Sequence, residues 1–172
     1  MASQIEWASR LAGLLLGIAL AAAGVTSWRV PGGSGSVDAD VRLLSAPTGE
    51  LQVSPMGLFL SAPSLAPGDE AVRGELLVRN QTGSALDVRL RALPSSPDLD
   101  ELLVVRMDIG KDRIFEGTLG GLRTWTERSF QLASDERRVL RAEAWFPRRV
   151  TSGYEGRIAD VTIEMGVEVF RG

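Results

Sequence analysis

From Val161 to Val169 apolar and polar side chains alternate without a break, with Val161, Ile163, Met165, Val167 and Val169 on one side and Thr162, Glu164, Gly166 and Glu168 on the other. A period of two is that of a strand with one face in a core and one in water, because successive side chains of an extended chain point to opposite faces. Leu86 to Ala92 repeats the pattern: Leu86, Val88, Leu90 and Ala92 alternate with Asp87, Arg89 and Arg91. The same phase predicts inward Val72, Leu76 and Val78 in Val72 to Arg79. It predicts inward Leu103, Val105, Met107 and Ile109 in Leu103 to Ile109, and inward Leu140, Ala142, Ala144 and Phe146 in Arg138 to Phe146. Weaker strand signals cover Val41 to Ser45, Leu51 to Val53 and Leu58 to Leu60. Turn chemistry separates these runs at Ala66-Pro67-Gly68-Asp69, Asn80-Gln81-Thr82-Gly83, Gly110-Lys111-Asp112 and Ser152-Gly153. About eight short strands at such spacing predict an all-β fold, a two-sheet antiparallel β-sandwich or jelly roll over residues 39–172.

Two segments depart from the alternation. Asp98 to Leu103 follows Pro97 and reads as one helical turn, with Asp98 as N-cap and Glu101 placed to complete a capping box. Thr118-Leu119-Gly120-Gly121-Leu122 reads as a tight turn that tucks its two leucines under the sandwich. One or two short helical turns are therefore expected beside the strands.

The N-terminus follows a different logic. Leu11 to Ala23 is an unbroken run of Leu, Ala, Ile and Gly behind Arg10. As a helix it would span roughly 20 Å, short of the hydrocarbon core of about 30 Å, so a cleaved secretory signal helix fits better than a membrane anchor. Cleavage after Ala23 would use Ala21 and Ala23 as the small residues; cleavage after Ser27 would use Val25 and Ser27. Residues 1–27 are thus expected to be a signal peptide, and membrane contact to occur only through that segment if it stays uncleaved. Residues 28–38, with Pro31-Gly32-Gly33-Ser34-Gly35-Ser36, form a flexible arm. The expected location is secreted or cell-surface, with a signal peptidase as a partner during export. A remaining chain of about 145 residues buries enough of its surface to stand without disulfides, which matters because there is no cysteine.

The chain has no histidine either. That excludes a Cys/His zinc site, a Cys nucleophile, a Ser-His-Asp triad and a histidine general base. The net charge of -3 and the absence of a dominant basic face argue against nucleic acid. Lys111 is the only lysine and sits in a tight turn, a poor setting for a desolvated nucleophile. The acidic cluster Asp98, Asp100 and Glu101 lacks the glycine and distal glutamate of a calcium loop and reads as a solvated helix start. No catalytic residue, cofactor or metal ligand is assigned. The outward faces are charged: Asp87, Arg89 and Arg91 on one strand and Asp160, Glu164 and Glu168 on another would form complementary ladders if the two were neighbours. Trp125, Trp145 and Tyr154 are candidate interface aromatics, able to stack on a sugar ring or anchor a contact.

Taken in order, Leu65-Ala66-Pro67-Gly68-Asp69, Gly74-Glu75-Leu76-Leu77-Val78-Arg79-Asn80, Phe115-Glu116-Gly117-Thr118-Leu119-Gly120-Gly121-Leu122 and Tyr154-Glu155-Gly156 resemble the TasA and camelysin family of secreted proteins. The resemblance covers about Leu58 to Phe170. It implies a jelly roll exported through a SipW-type signal peptidase, and a role outside the cell: TasA-like members build fibres of the biofilm matrix, and camelysin is described as a surface metallopeptidase. Without histidine the peptidase half of that implication has no residues to carry it. A fibre has a physical route here, because the flexible arm and the strand Val41, Arg42, Leu43, Leu44 and Ser45 could leave their own sandwich and add to the next subunit, head to tail. The competing expectation is that this strand pairs within its own domain. A binding module of the immunoglobulin type, holding a glycan, peptide or cell-wall partner, is the alternative function.

Overall fold

The computed structural model describes residues 38–169 apart from 47 and 95. The signal segment, both cleavage sites and the Gly/Ser arm up to residue 37 lie outside the described residues. Ten strands follow one another: β1 (Ala39–Ser45), β2 (Leu51–Ser54), β3 (Gly57–Leu65), β4 (Val72–Asn80), β5 (Leu86–Pro94), β6 (Val104–Ile109), β7 (Asp112–Thr118), β8 (Phe130–Leu132), β9 (Arg137–Trp145) and β10 (Ile158–Val169). They form two five-stranded sheets, sheet I in the order β3-β1-β10-β5-β8 and sheet II in the order β2-β4-β9-β6-β7. The fold is the expected all-β sandwich, with two strands beyond the eight read from the sequence.

One pairing departs from the antiparallel expectation. β1 runs parallel to β10, with Arg42 opposite Asp160 and Leu44 opposite Thr162, while its other edge pairs antiparallel with β3. Strands far apart in sequence can pair in either sense, since no tight hairpin joins them.

The alternation read from the sequence sets the core. Leu76 and Val78, Leu86, Val88, Leu90 and Ala92, Leu103, Val105, Met107 and Ile109, Leu140, Ala142, Ala144 and Phe146, and Val161, Ile163 and Met165 are all buried. Each fully buried Leu, Ile or Val contributes roughly 1.5–3 kcal/mol from the surface removed from water. β10 loses its phase at the far end, where Val169 is exposed. The Leu119–Arg123 turn is a short 3₁₀ helix whose Leu119 and Leu122 are buried, as its sequence predicts.

Asp98–Leu103 is a looser turn than the capped helical turn expected. Ser96 Oγ, rather than the Asp98 carboxylate, takes the nearby amide, that of Asp98 at 3.2 Å, and Asp98 pairs with Arg157 at 3.0 Å. The turn is pinned from the other side, where Gly120 N donates to the Asp100 carbonyl at 2.9 Å and Arg123 closes on the Asp100 carboxylate.

Two joints hold the sheets in register. Asn80, fully buried at the end of β4, donates from Nδ2 to the carbonyls of Ser84, Leu132 and Ala133 and accepts from the amide and hydroxyl of Thr82. One side chain thereby shapes the Asn80–Ser84 turn and ties β4 of sheet II to β8 of sheet I. At the opposite edge Gly74 of β4 comes so close to β3 that a Cβ there would stand 2.3 Å from the Phe59 carbonyl oxygen. Only glycine permits that approach.

Candidate functional site

The strand singled out as a possible donor occupies an interior slot. In this monomer β1 lies between β3 and β10, bonded along both edges, and Ala39, Val41 and Leu43 face the core fully buried. Arg42 and Leu44 face outward, and Ser45 Oγ accepts from Gly57 N at 3.1 Å and donates to the Pro55 carbonyl at 3.0 Å, closing the far end of the strand. Pairing within its own domain is thus the arrangement of the isolated chain. β1 is nevertheless the first described strand, and the next strand along the chain, β2, belongs to the other sheet.

The outer face of sheet I carries an apolar row at the level of Leu44. Leu58 of β3, Leu44 of β1, Thr162 of β10 and Leu93 of β5 are successive register partners across four strands. Leu58 is 47% exposed and Leu93 44%. Ion pairs border the row on both sides: Arg42 Nε lies 2.6 Å from the Asp160 carboxylate, and Arg91 Nε lies 2.6 Å from the Glu164 carboxylate.

The two charged ladders read from the sequence do lie on neighbouring strands, since β5 pairs with β10. Their complementarity is partial. Arg91 meets Glu164, but Arg89 stands opposite Gly166, Asp87 stands opposite Glu168, and Asp160 turns to Arg42 on the other side. Gly166 leaves room for Trp125, whose indole stands over this position and over the Arg91 guanidinium, 4.5 Å from ring centre to Cζ. An open groove beside the indole is lined by Asp87, Arg89, Gly166 and Glu168.

The outer face of sheet II is different in kind. Glu143 of β9 takes Arg73 of β4 at 2.8 Å and Arg106 of β6 at 3.1 Å, and Arg106 continues to Glu116 of β7 at 3.3 Å. Arg113 joins Glu116 to Asp108, and Arg141 pairs with Glu75 at 3.0 Å. The two hydrogen bonds from Arg106 hold the Glu116 carboxyl below the usual carboxylate range, and the same contact raises the arginine.

The three candidate aromatics do not form one cluster. Trp125 lies over sheet I, Trp145 lies on sheet II beside Arg106 at 5.4 Å, and Tyr154 packs on Phe146 with ring centres 5.6 Å apart. The half-buried Tyr154 lies against the core. The acidic trio is also divided, with Asp98 held by Arg157 and Asp100 by Arg123. Among the described residues no three carboxylates gather as metal ligands would, and no helix is long and apolar enough to cross a membrane. The row across sheet I escapes a reading of single strands, because Leu44, Leu58 and Leu93 become neighbours only through the sheet order.

No protein-family model matches the chain, and no curated protein sequence matches it. Among solved structures, the N-terminal domain of PorA aligns over 74% of this chain and 87% of that one, at 8% identity and a TM-score of 0.29.

Proposed function

We propose that this chain is a secreted or cell-surface structural protein of the TasA-like kind, a non-catalytic subunit that builds a fibre or biofilm matrix by exchanging strand β1 head to tail. The observation that carries this reading is the placement of β1. An N-terminal strand fills a slot between β3 and β10, held by edge hydrogen bonds and inward Ala39, Val41 and Leu43. The same strand from a second copy would make every one of those contacts, so exchange costs little at equilibrium and its cost lies in opening the slot. Negative-stain microscopy of purified protein at rising concentration tests it. Filaments are expected, and none from a chain cut after Ser45. Discrete particles at every concentration would overturn the reading.

A second reading is an extracellular binding module of the immunoglobulin type for a glycan, peptide or cell-wall partner. It is favoured by the groove at Trp125, where an indole borders Asp87, Arg89 and Glu168. Soluble glycans that quench Trp125 fluorescence in a strictly monomeric protein would favour this reading over the first.

A further inference from the structure

The exposed apolar side chains are unevenly divided. Among the described residues, Leu58, Leu93, Ile158 and Trp125 lie on the outer side of sheet I, Met56 stands in the turn entering β3 and Val169 ends β10, whereas Leu77 is the exposed large hydrophobic on the outer face of sheet II. Met56 is 73% exposed and Trp125 40%. We propose that the outer face of sheet I binds a second copy of this chain, the two related by a two-fold axis that runs along the strands between β1 and β10.

Register and charge select this operator. Rotation about that axis lays β1 of one copy over β10 of the other and β3 over β5, while each level of the sheet stays at its own level. Leu58 then covers Leu93 of the second copy, and Leu44 covers its Thr162, so the apolar row is its own complement. One level along, Arg42 faces Asp160 of the second copy, and the two ion pairs close into a ring of alternating charge. In the other direction Met56, which precedes the register partner of Ser45, comes to the level of Arg91 and Trp125, a thioether beside an indole. The alternative axis, along the row, sets Asp160 against Glu164 of the second copy and buries like charges. Sheet II offers no such apolar row: among the described residues Leu77 is the exposed large hydrophobic on its outer face.

This dimer goes beyond strand exchange and is independent of it. It uses β1 as a fixed part of sheet I, whichever copy supplies that strand, so filaments and dimers can fail separately. Light scattering on purified protein, at concentrations below those that give filaments, is expected to give twice the chain mass. Leu93→Arg, at an exposed position, should return it to a folded monomer with the circular-dichroism spectrum of the wild type, and Leu77→Arg on sheet II should leave the dimer intact. Because the chain has no cysteine, single-cysteine variants report the geometry cleanly. Leu58 of one copy should lie across about 10 Å from Leu93 of the other, the spacing of stacked sheets, whereas like positions are offset sideways by three strand spacings, roughly 14 Å. A short bis-maleimide should therefore cross-link a mixture of Leu58→Cys and Leu93→Cys chains and leave either variant alone largely uncoupled. A monomer at all concentrations, a dimer that survives Leu93→Arg, or equal cross-linking of the single variants would each overturn the proposal.

Discussion

The two outer faces of this sandwich rest on the same core yet are built to opposite ends. Sheet II presents a surface in which Arg73, Glu143, Arg106, Glu116, Arg113 and Asp108 neutralise one another strand by strand. Sheet I presents an apolar row between two ion pairs, with an indole at one side. Exposed ion pairs add little stability, so the network on sheet II is better understood as a surface satisfied within one molecule. The apolar row on sheet I is the surface that the proposed dimer would cover. The core, common to both sheets, accounts for the fold, while the outward residues differ, charged and mutually paired on sheet II and partly apolar on sheet I.

The strongest way to sharpen the comparison is to place one charge on each side of the same strand. Leu43→Asp puts a carboxylate into the core of sheet I and should cost about 4 kcal/mol, unfolding the domain at a much lower urea concentration. Leu44→Asp, one residue on and outward, should cost no more than about 0.5 kcal/mol in a urea melt while abolishing the sheet I dimer. Equal losses from both would mean that β1 does not alternate as described.

A smaller effect is expected at the indole. A Cβ at Gly166 would stand 2.9 Å from Trp125 Cη2, so Gly166→Ala must push the ring off the sheet. A cost of about 1 kcal/mol and a red-shifted tryptophan emission should follow. An unchanged emission spectrum would break the link between Trp125 and this face.

The smallest effect belongs to sheet II. The carboxyl of Glu116 is held below its unfolded pKa by the hydrogen bonds from Arg106, so its contribution is present above the ordinary glutamate range and is lost as pH falls through the lower folded value. Glu116→Gln should cost at most about 0.5 kcal/mol at neutral pH, and nothing once the wild-type carboxyl is protonated. Paired urea melts at neutral and acid pH measure this; a loss that grows in acid would reverse the assignment.

Much of the core is legible in the residues because burial on one face imposes a period of two, and Leu76, Leu90, Met107, Leu140 and Ile163 all obey it. β7 is harder to read. It is an edge strand in which Ile114 alone is buried, with Arg113 and Glu116 turned to the charge network. β8 is three residues long, too short to show a period. The parallel pairing of β1 with β10 joins the two ends of the domain, and no local pattern encodes a partner so distant. The same reason hides the apolar row: its leucines come from three strands, each with only one outward apolar residue at that level.

A reversible lock on β1 separates strand exchange from every other route to a filament. Asp40 of β1 and Ile158 of β10 are register partners on the outer side, so Asp40→Cys with Ile158→Cys can join β1 to its own sandwich by a disulfide. Filaments counted by electron microscopy should be absent from the oxidised protein and appear once the bond is reduced. Filaments that form equally well with the bond closed would contradict strand exchange.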